Sequence, residues 1–149
     1  MVEIKGVVMR EIKFRGKDIK TKEWRYGSLV SKYDVEACLY CQYHILEKSE
    51  YSRSCDWDSA LADIDFYEVD EDTLGQFTGL CDKNEKKIFE GDIVLVSGVA
   101  KAKIIWNTED ACFAFDYGID GRPLMLDLVN DTSIEVIGNI YDNQELIKE

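Results

Sequence analysis

Short apolar runs separated by glycine, asparagine and aspartate constrain this 149-residue chain more than any other feature. Ile93-Val94-Leu95-Val96 is a continuous run of strand length, and Ala102, Ile104 and Trp106 alternate onto one face. Phe66-Tyr67-Glu68-Val69, Cys112-Phe113-Ala114-Phe115, Met125-Leu126-Asp127-Leu128-Val129 and Ile134–Tyr141 continue the pattern, with turn signals about every 8–12 residues. Helical periodicity is almost absent. The reading is roughly nine or ten short antiparallel strands in an all-β or mainly β protein with little helix. One proline, Pro123, stands against ten glycines, so bends must rely on Gly, Asn and Asp chemistry.

Placed along the chain, these signals predict a strand, a polar loop and a second strand from Phe14 to Val30, with Trp24, Tyr26 and Leu29-Val30 as packing side chains. Another strand is expected over Ala37–Leu46. Serines and aspartates at 47–63 suit a long acidic loop, with a short helix at Trp57–Ala62 capped by Asp56. Asp82-Lys83-Asn84-Glu85 is turn chemistry joining Phe77–Leu80 to Ile88-Phe89 in a hairpin. Gly79, Asp82, Asn84, Gly91, Asp92 and Gly138 are read as structural turn residues. Asp142 with Glu145 predicts a capping box opening a last turn at Gln144–Lys148. A break near 70–75 divides an N-terminal β region, 9–72, from a C-terminal barrel-like region, 73–149. Residues 1–8 read as an arm preceding Met9.

Charge excludes several roles. The 18 Lys+Arg and 30 Asp+Glu leave a net charge of −12, which argues against broad adhesion to nucleic acid or anionic lipid. The charge is uneven: residues 1–33 carry +5, 34–82 carry −11 and 83–149 carry −6. Such a basic head and acidic middle favour head-to-middle docking between copies or partners. No apolar run approaches the ~20 residues of a membrane span, and no signal-like segment follows the N-terminal charges, so a cytoplasmic protein with no membrane partner is expected. Five cysteines cannot all pair within one chain, and reduced thiols are the simplest account.

Cys38, Cys41, His44 and Cys55 offer zinc-type ligands, but the second pair lacks the spacing of a zinc knuckle. On a strand, positions 38 and 41 face opposite sides, so buried thiols are the better reading. His44 is the single histidine, and no nucleophile elbow, phosphate loop or metalloprotease motif is present. Glu90-Gly91-Asp92 is read as a bend in which Asp92 bonds adjacent backbone, not as an acid–base pair. The acidic set Asp56, Asp58, Asp63, Asp65, Glu68, Asp70, Glu71 and Asp72 lacks the ordered spacing of a calcium loop. No catalytic residue, metal or cofactor is therefore expected. Lys13, Arg15, Lys17, Lys20, Lys22 and Arg25 interleave with Phe14, Trp24 and Tyr26, the composition of a single-strand-binding platform.

Six ordered segments carry a family resemblance: Phe14-Arg15-Gly16-Lys17, Trp24-Arg25-Tyr26-Gly27, Leu74–Leu80, Asp82-Lys83-Asn84, Ile88–Val94 and Val136–Tyr141. From Met9 to about Ile147 the chain resembles the YopX family, small proteins encoded by phages and prophages. The resemblance implies a mainly β fold, a C-terminal half like a small SH3-like barrel, and no established activity. Residues 34–63 match it poorly. Together these readings favour a non-enzymatic, self-assembling protein-binding module, homo-oligomeric and docking on a host or phage protein. The alternatives are a nucleic-acid accessory protein using the basic head, and an acidic nucleic-acid mimic that occupies a host protein.

Overall fold

A computed structural model of the chain describes residues 11–33, 41–48, 64–118, 122–126 and 133–147. The chain is mainly β, as the alternating runs predict. Its strands are β1 (Phe14–Lys17), β2 (Trp24–Tyr33), β3 (Cys41–Lys48), β4 (Ile64–Val69), β5 (Gly75–Cys81) and β6 (Lys87–Phe89) in one sheet, ordered β4-β3-β2-β1-β5-β6. A second sheet holds β7 (Asp92–Val96), β8 (Ala100–Asn107), β9 (Cys112–Asp116), β10 (Leu124–Met125) and β11 (Ile134–Asn139), ordered β10-β9-β8-β7-β11. Every ladder among the described residues is antiparallel.

Two expectations meet a different arrangement. The first sheet runs across position 72/73, because β5 pairs with β1 through Phe14↔Gln76 and Arg15↔Gly75. The change of sheet falls instead after Phe89, where β6 ends. The second sheet, expected as a small barrel, stays open: among the described residues no ladder joins β10 to β11. The short β10, two residues long, is one reason, since it offers little edge to pair.

Local chemistry explains the turns. Between β1 and β2 the Asp18 carboxylate accepts from the amides of Lys20 (2.8 Å) and Thr21 (3.2 Å), while Lys22 takes a left-handed φ of 63°. The hairpin predicted around Asp82 is present, with Phe77↔Phe89 and Cys81↔Lys87 in register. Asp82 Oδ1 accepts from Asn84 N (2.8 Å) and Lys86 N (3.0 Å), and Oδ2 accepts from Val136 N (2.9 Å) on β11. One carboxylate thus closes the turn and ties it to the second sheet. Glu85, not Asn84, supplies the left-handed residue.

The end of β4 bridges back to the segment after β1, through the pair Asp18↔Val69 and the bond from Ile19 N to Glu68 O (3.1 Å). The β1–β4 part of the sheet therefore curls on itself around Ile45 and Val69, both buried. Gly27 permits that curl: a Cβ there would lie 1.9 Å from the Leu46 carbonyl oxygen. A larger core gathers Ile88, Val94, Val96, Ala102, Ile104, Phe113, Phe115, Leu126 and Ile134. Ala102 and Ile104 are buried on the face the alternation assigns, whereas Trp106, further along that face, is exposed and packs edge-on to Phe113 at 5.1 Å.

The expected capping box is corrected. The last turn is a 3₁₀ turn at Gln144–Leu146 whose N-cap is Asn143, with no side-chain cap bond. Asp142 faces Lys17 and Trp24 instead, where the Lys17 ammonium is a charged donor that the amides of one short turn do not offer.

Candidate functional site

Part of the basic and aromatic set lies together on one face of β1–β2, where the chain's own carboxylates engage Arg15 and Lys17. On β1 and β2 the pairs Arg15↔Tyr26 and Lys17↔Trp24 put these four side chains on one face. Against that face lie the Glu90-Gly91-Asp92 bend and the Tyr141-Asp142 turn.

Arg15 sits at the centre. Its Nη1 is 2.6 Å from Asp92 Oδ1, and its Nη2 donates to the Glu90 carbonyl at 3.1 Å. The guanidinium carbon stands 4.8 Å from the Trp24 ring centre and 5.1 Å from that of Phe89. Arg15 is 5% exposed and Asp92 2%, so the pair is withdrawn from solvent. Asp92 Oδ2 also accepts from Phe89 N (2.8 Å), the adjacent backbone bond that its position in the bend predicts. Burial pushes the Asp92 carboxyl above its ordinary range, against the pull of Arg15 and the Phe89 amide.

Gly91 makes the bend possible. Its φ is +82°, and a Cβ would meet the Tyr141 ring at 3.1 Å. Its N–H donates to Ile104 O (2.8 Å) and its carbonyl accepts from Ile140 N (2.9 Å). Gly138 lies in the β11 bulge against the Asn143 side chain, whose Oδ1 accepts from Asn139 N (3.2 Å). Gly79 lies not in a turn between strands but within β5, at its irregularity.

At the far end of the stripe, Asp142 pairs with Lys17 and accepts from the Trp24 indole N–H at 2.8 Å and from Asn139 Nδ2 at 3.1 Å. The Lys17 bond, over the opposing effect of burial and with help from Trp24 and Asn139, holds the Asp142 carboxyl down to about 2. Trp24 also packs on Tyr141 at 5.7 Å.

The six predicted patch residues therefore divide. Arg15 is corrected from a surface group to a buried one, engaged by Asp92. Lys17 is engaged by Asp142. Arg25 turns to the opposite face, 3.8 Å from the Tyr67 ring centre, with Asp18 at 3.4 Å and Glu23 at 3.5 Å. Lys20 and Lys22 stand exposed in the β1–β2 turn. Lys13 borders a cleft of about 250 Å³ with Arg15, Tyr26, Lys86, Lys87 and Phe89. Nothing in the sequence marks Lys86 and Lys87 as part of this set. Their position beside Asp82-Lys83-Asn84-Glu85 reads as ordinary turn polarity, and only the β1–β5–β6 pairing brings them to the stripe.

A second concavity, about 410 Å³, opens on the other part of the sheet between Val30, Ser31, His44 and Phe66. The register Val30↔His44↔Glu68 and Ser28↔Leu46↔Phe66 sets Val30, His44 and Phe66 along one face of β2–β3–β4. Phe66 is 61% exposed and Val30 40%.

Cys38, Cys55, Asp56, Asp58 and Asp63, together with the Trp57–Ala62 helix, lie outside the described residues, as does the Cys41 side chain. Among the described residues, no cluster of three or more His, Cys, Asp or Glu is placed to hold a metal ion, and Cys81 and Cys112 carry free thiols. Among them, too, no helix is long and apolar enough to cross a membrane.

The fold has a counterpart among solved structures. The crystal structure of protein EF1440 from Enterococcus faecalis matches 94% of this chain and 100% of its own, with a TM-score of 0.53 and 22% sequence identity. At that identity the likeness concerns the fold. No curated protein matches the sequence. The family profile described as YopX protein matches residues 13–148, nearly the whole length and all six segments that carry the resemblance. The chain belongs to the YopX family.

Proposed function

We propose that this is a non-enzymatic module that works by binding protein, copies of itself included, in the service of a phage or prophage. The observation that carries the reading is the exposed apolar face of β2–β3–β4, where Phe66 and Val30 flank His44 over an open groove. Exposed aromatic and branched side chains grouped on one sheet face favour association with another apolar surface. The +5 head and −11 middle add an electrostatic preference for docking unlike ends together. On this reading Asp92 serves structure, being committed to Arg15 and to the Phe89 amide. Light scattering coupled to size exclusion tests it. The wild type is expected as a defined oligomer, and Phe66→Asp as a smaller species with unchanged circular dichroism. A wild-type monomer at the highest attainable concentration sinks the self-assembly reading.

A second reading, nucleic-acid binding by the basic head, is favoured by one observation: Lys20 and Lys22 form no ion pair with any described residue. Its signature is salt-sensitive binding of single strands that Lys20→Glu with Lys22→Glu abolishes. No binding at low salt removes it.

A further inference from the structure

We propose that the cleft between β1–β2 and the β5–β6 turn binds the phosphate group of a small phosphomonoester. Of its six lining residues, Lys13, Arg15, Lys86 and Lys87 are cationic, while Tyr26 and Phe89 supply ring walls set edge-on at 5.5 Å. Arg15 is the buried element of this wall, and its Nε is a buried donor with no acceptor among the described residues. Its two Nη atoms are held by Asp92 and Glu90, so the guanidinium cannot rotate to satisfy Nε elsewhere. A guanidinium fixed in this way brings a pre-oriented positive group to the cleft wall, the condition under which arginine recognises oxyanions well.

Local charge selects the kind of anion. Asp92 neutralises Arg15, and Glu11, 3.5 Å from Lys13 and 2.5 Å from Lys87, neutralises one of those two lysines. Lys86, exposed and without an ion-pair partner among the described residues, adds its full charge. Two positive charges remain at the rim, complementary to the charge of about −1.5 to −2 that a phosphate monoester carries at pH 7. A single carboxylate or a backbone phosphodiester leaves half of it unanswered. Tyr26, 43% exposed, provides an apolar surface beside the anion for the organic part of the ligand.

Titration calorimetry of the full chain at low ionic strength tests the assignment, with inorganic phosphate, phenyl phosphate and a single-stranded oligonucleotide without terminal phosphate as probes. Saturable binding of inorganic phosphate is expected, tighter for phenyl phosphate, and weakened about tenfold by Lys86→Glu, the loss of one charge-assisted contact. Lys13→Gln, which keeps the exposed hairpin intact, serves as a second variant and weakens it in the same direction. Lys20→Glu, outside the cleft, leaves it unchanged. The absence of saturable phosphate binding, or equal losses in Lys86→Glu and Lys20→Glu, overturns the proposal. So does an oligonucleotide whose binding falls with Lys86→Glu while phenyl phosphate does not bind, which assigns the cleft to a nucleic-acid backbone.

Discussion

Arg15 Nη1 lies 2.6 Å from Asp92 Oδ1, and this contact joins an interior strand of the six-stranded sheet to an interior strand of the five-stranded one. A pair so buried contributes little over apolar side chains of the same shape, but each partner is costly without the other. Asp92→Ala is expected to lower stability by about 3–5 kcal/mol. Arg15→Met with Asp92→Leu is expected to lose less than either single variant. Urea denaturation of the double variant and of Arg15→Met and Asp92→Leu singly checks this, and additive losses would refute the coupling.

The Trp24–Asp142 hydrogen bond supplies a local pH reporter. Asp142 has its folded value lowered to about 2 from an ordinary 3.8, so its contribution to stability is complete above the ordinary value. As pH falls from there through about 2, protonation removes it. The Trp24 indole N–H resonance is expected to titrate with a midpoint near that lower value, and Asp142→Asn to abolish the step. A midpoint at the ordinary carboxylate value would show that Lys17 does not hold the group.

Two glycines separate backbone clash from backbone strain. Gly27→Ala places a Cβ 1.9 Å from Leu46 O and is expected to cost more than about 3 kcal/mol, enough to open the β2–β3 pairing. Gly98→Ala, at φ +69° with nothing within 4 Å, is expected to cost only about 1–2 kcal/mol. Thermal denaturation ranks them, and similar losses would count against the close approach at Gly27.

Asp82→Ala removes the acceptor of three backbone amides, two in its own turn and one on β11. A loss of about 2–4 kcal/mol is expected, with faster amide exchange at Val136 as well as Asn84. Burial works against the charged form of Asp82, yet the three amides outweigh it and hold the carboxyl below its ordinary value. Protection at Val136 that survives the substitution would confine Asp82 to the turn.

What the residues disclose in advance depends on how far an interaction reaches. The Asp82 turn and the Gly91-Asp92 bend are legible because Asp and Gly act within two to four positions of themselves. Alternation likewise identifies the buried Ala102 and Ile104. The composition of Lys13, Arg15, Lys17, Lys20, Lys22 and Arg25 with Phe14, Trp24 and Tyr26 is plain in the sequence, but which of them share a face is not: Arg25 points away from Arg15 and Lys17. Nor is the covering of Arg15 and Lys17 legible, since Asp92 and Asp142 reach them only through the junction of the two sheets. Asp142 shows the same limit: spacing alone makes it a helix cap, and a lysine on β1 takes it elsewhere. Lys86 and Lys87 join the site through the β1–β5–β6 order, which no local pattern encodes.

The pairing of Arg15 with Asp92 also sets an order of events on the ribosome. β1 and β2 emerge well before the residues that cover their face, and at roughly 5–20 residues per second the delay is several seconds. Through that interval the guanidinium has the Trp24 ring beside it but no carboxylate, and β1 lacks its β5 neighbour. The β1–β4 part can curl on itself once Val69 is out, but a chain halted short of the Gly91 bend holds an arginine on its inner face with no carboxylate to meet it.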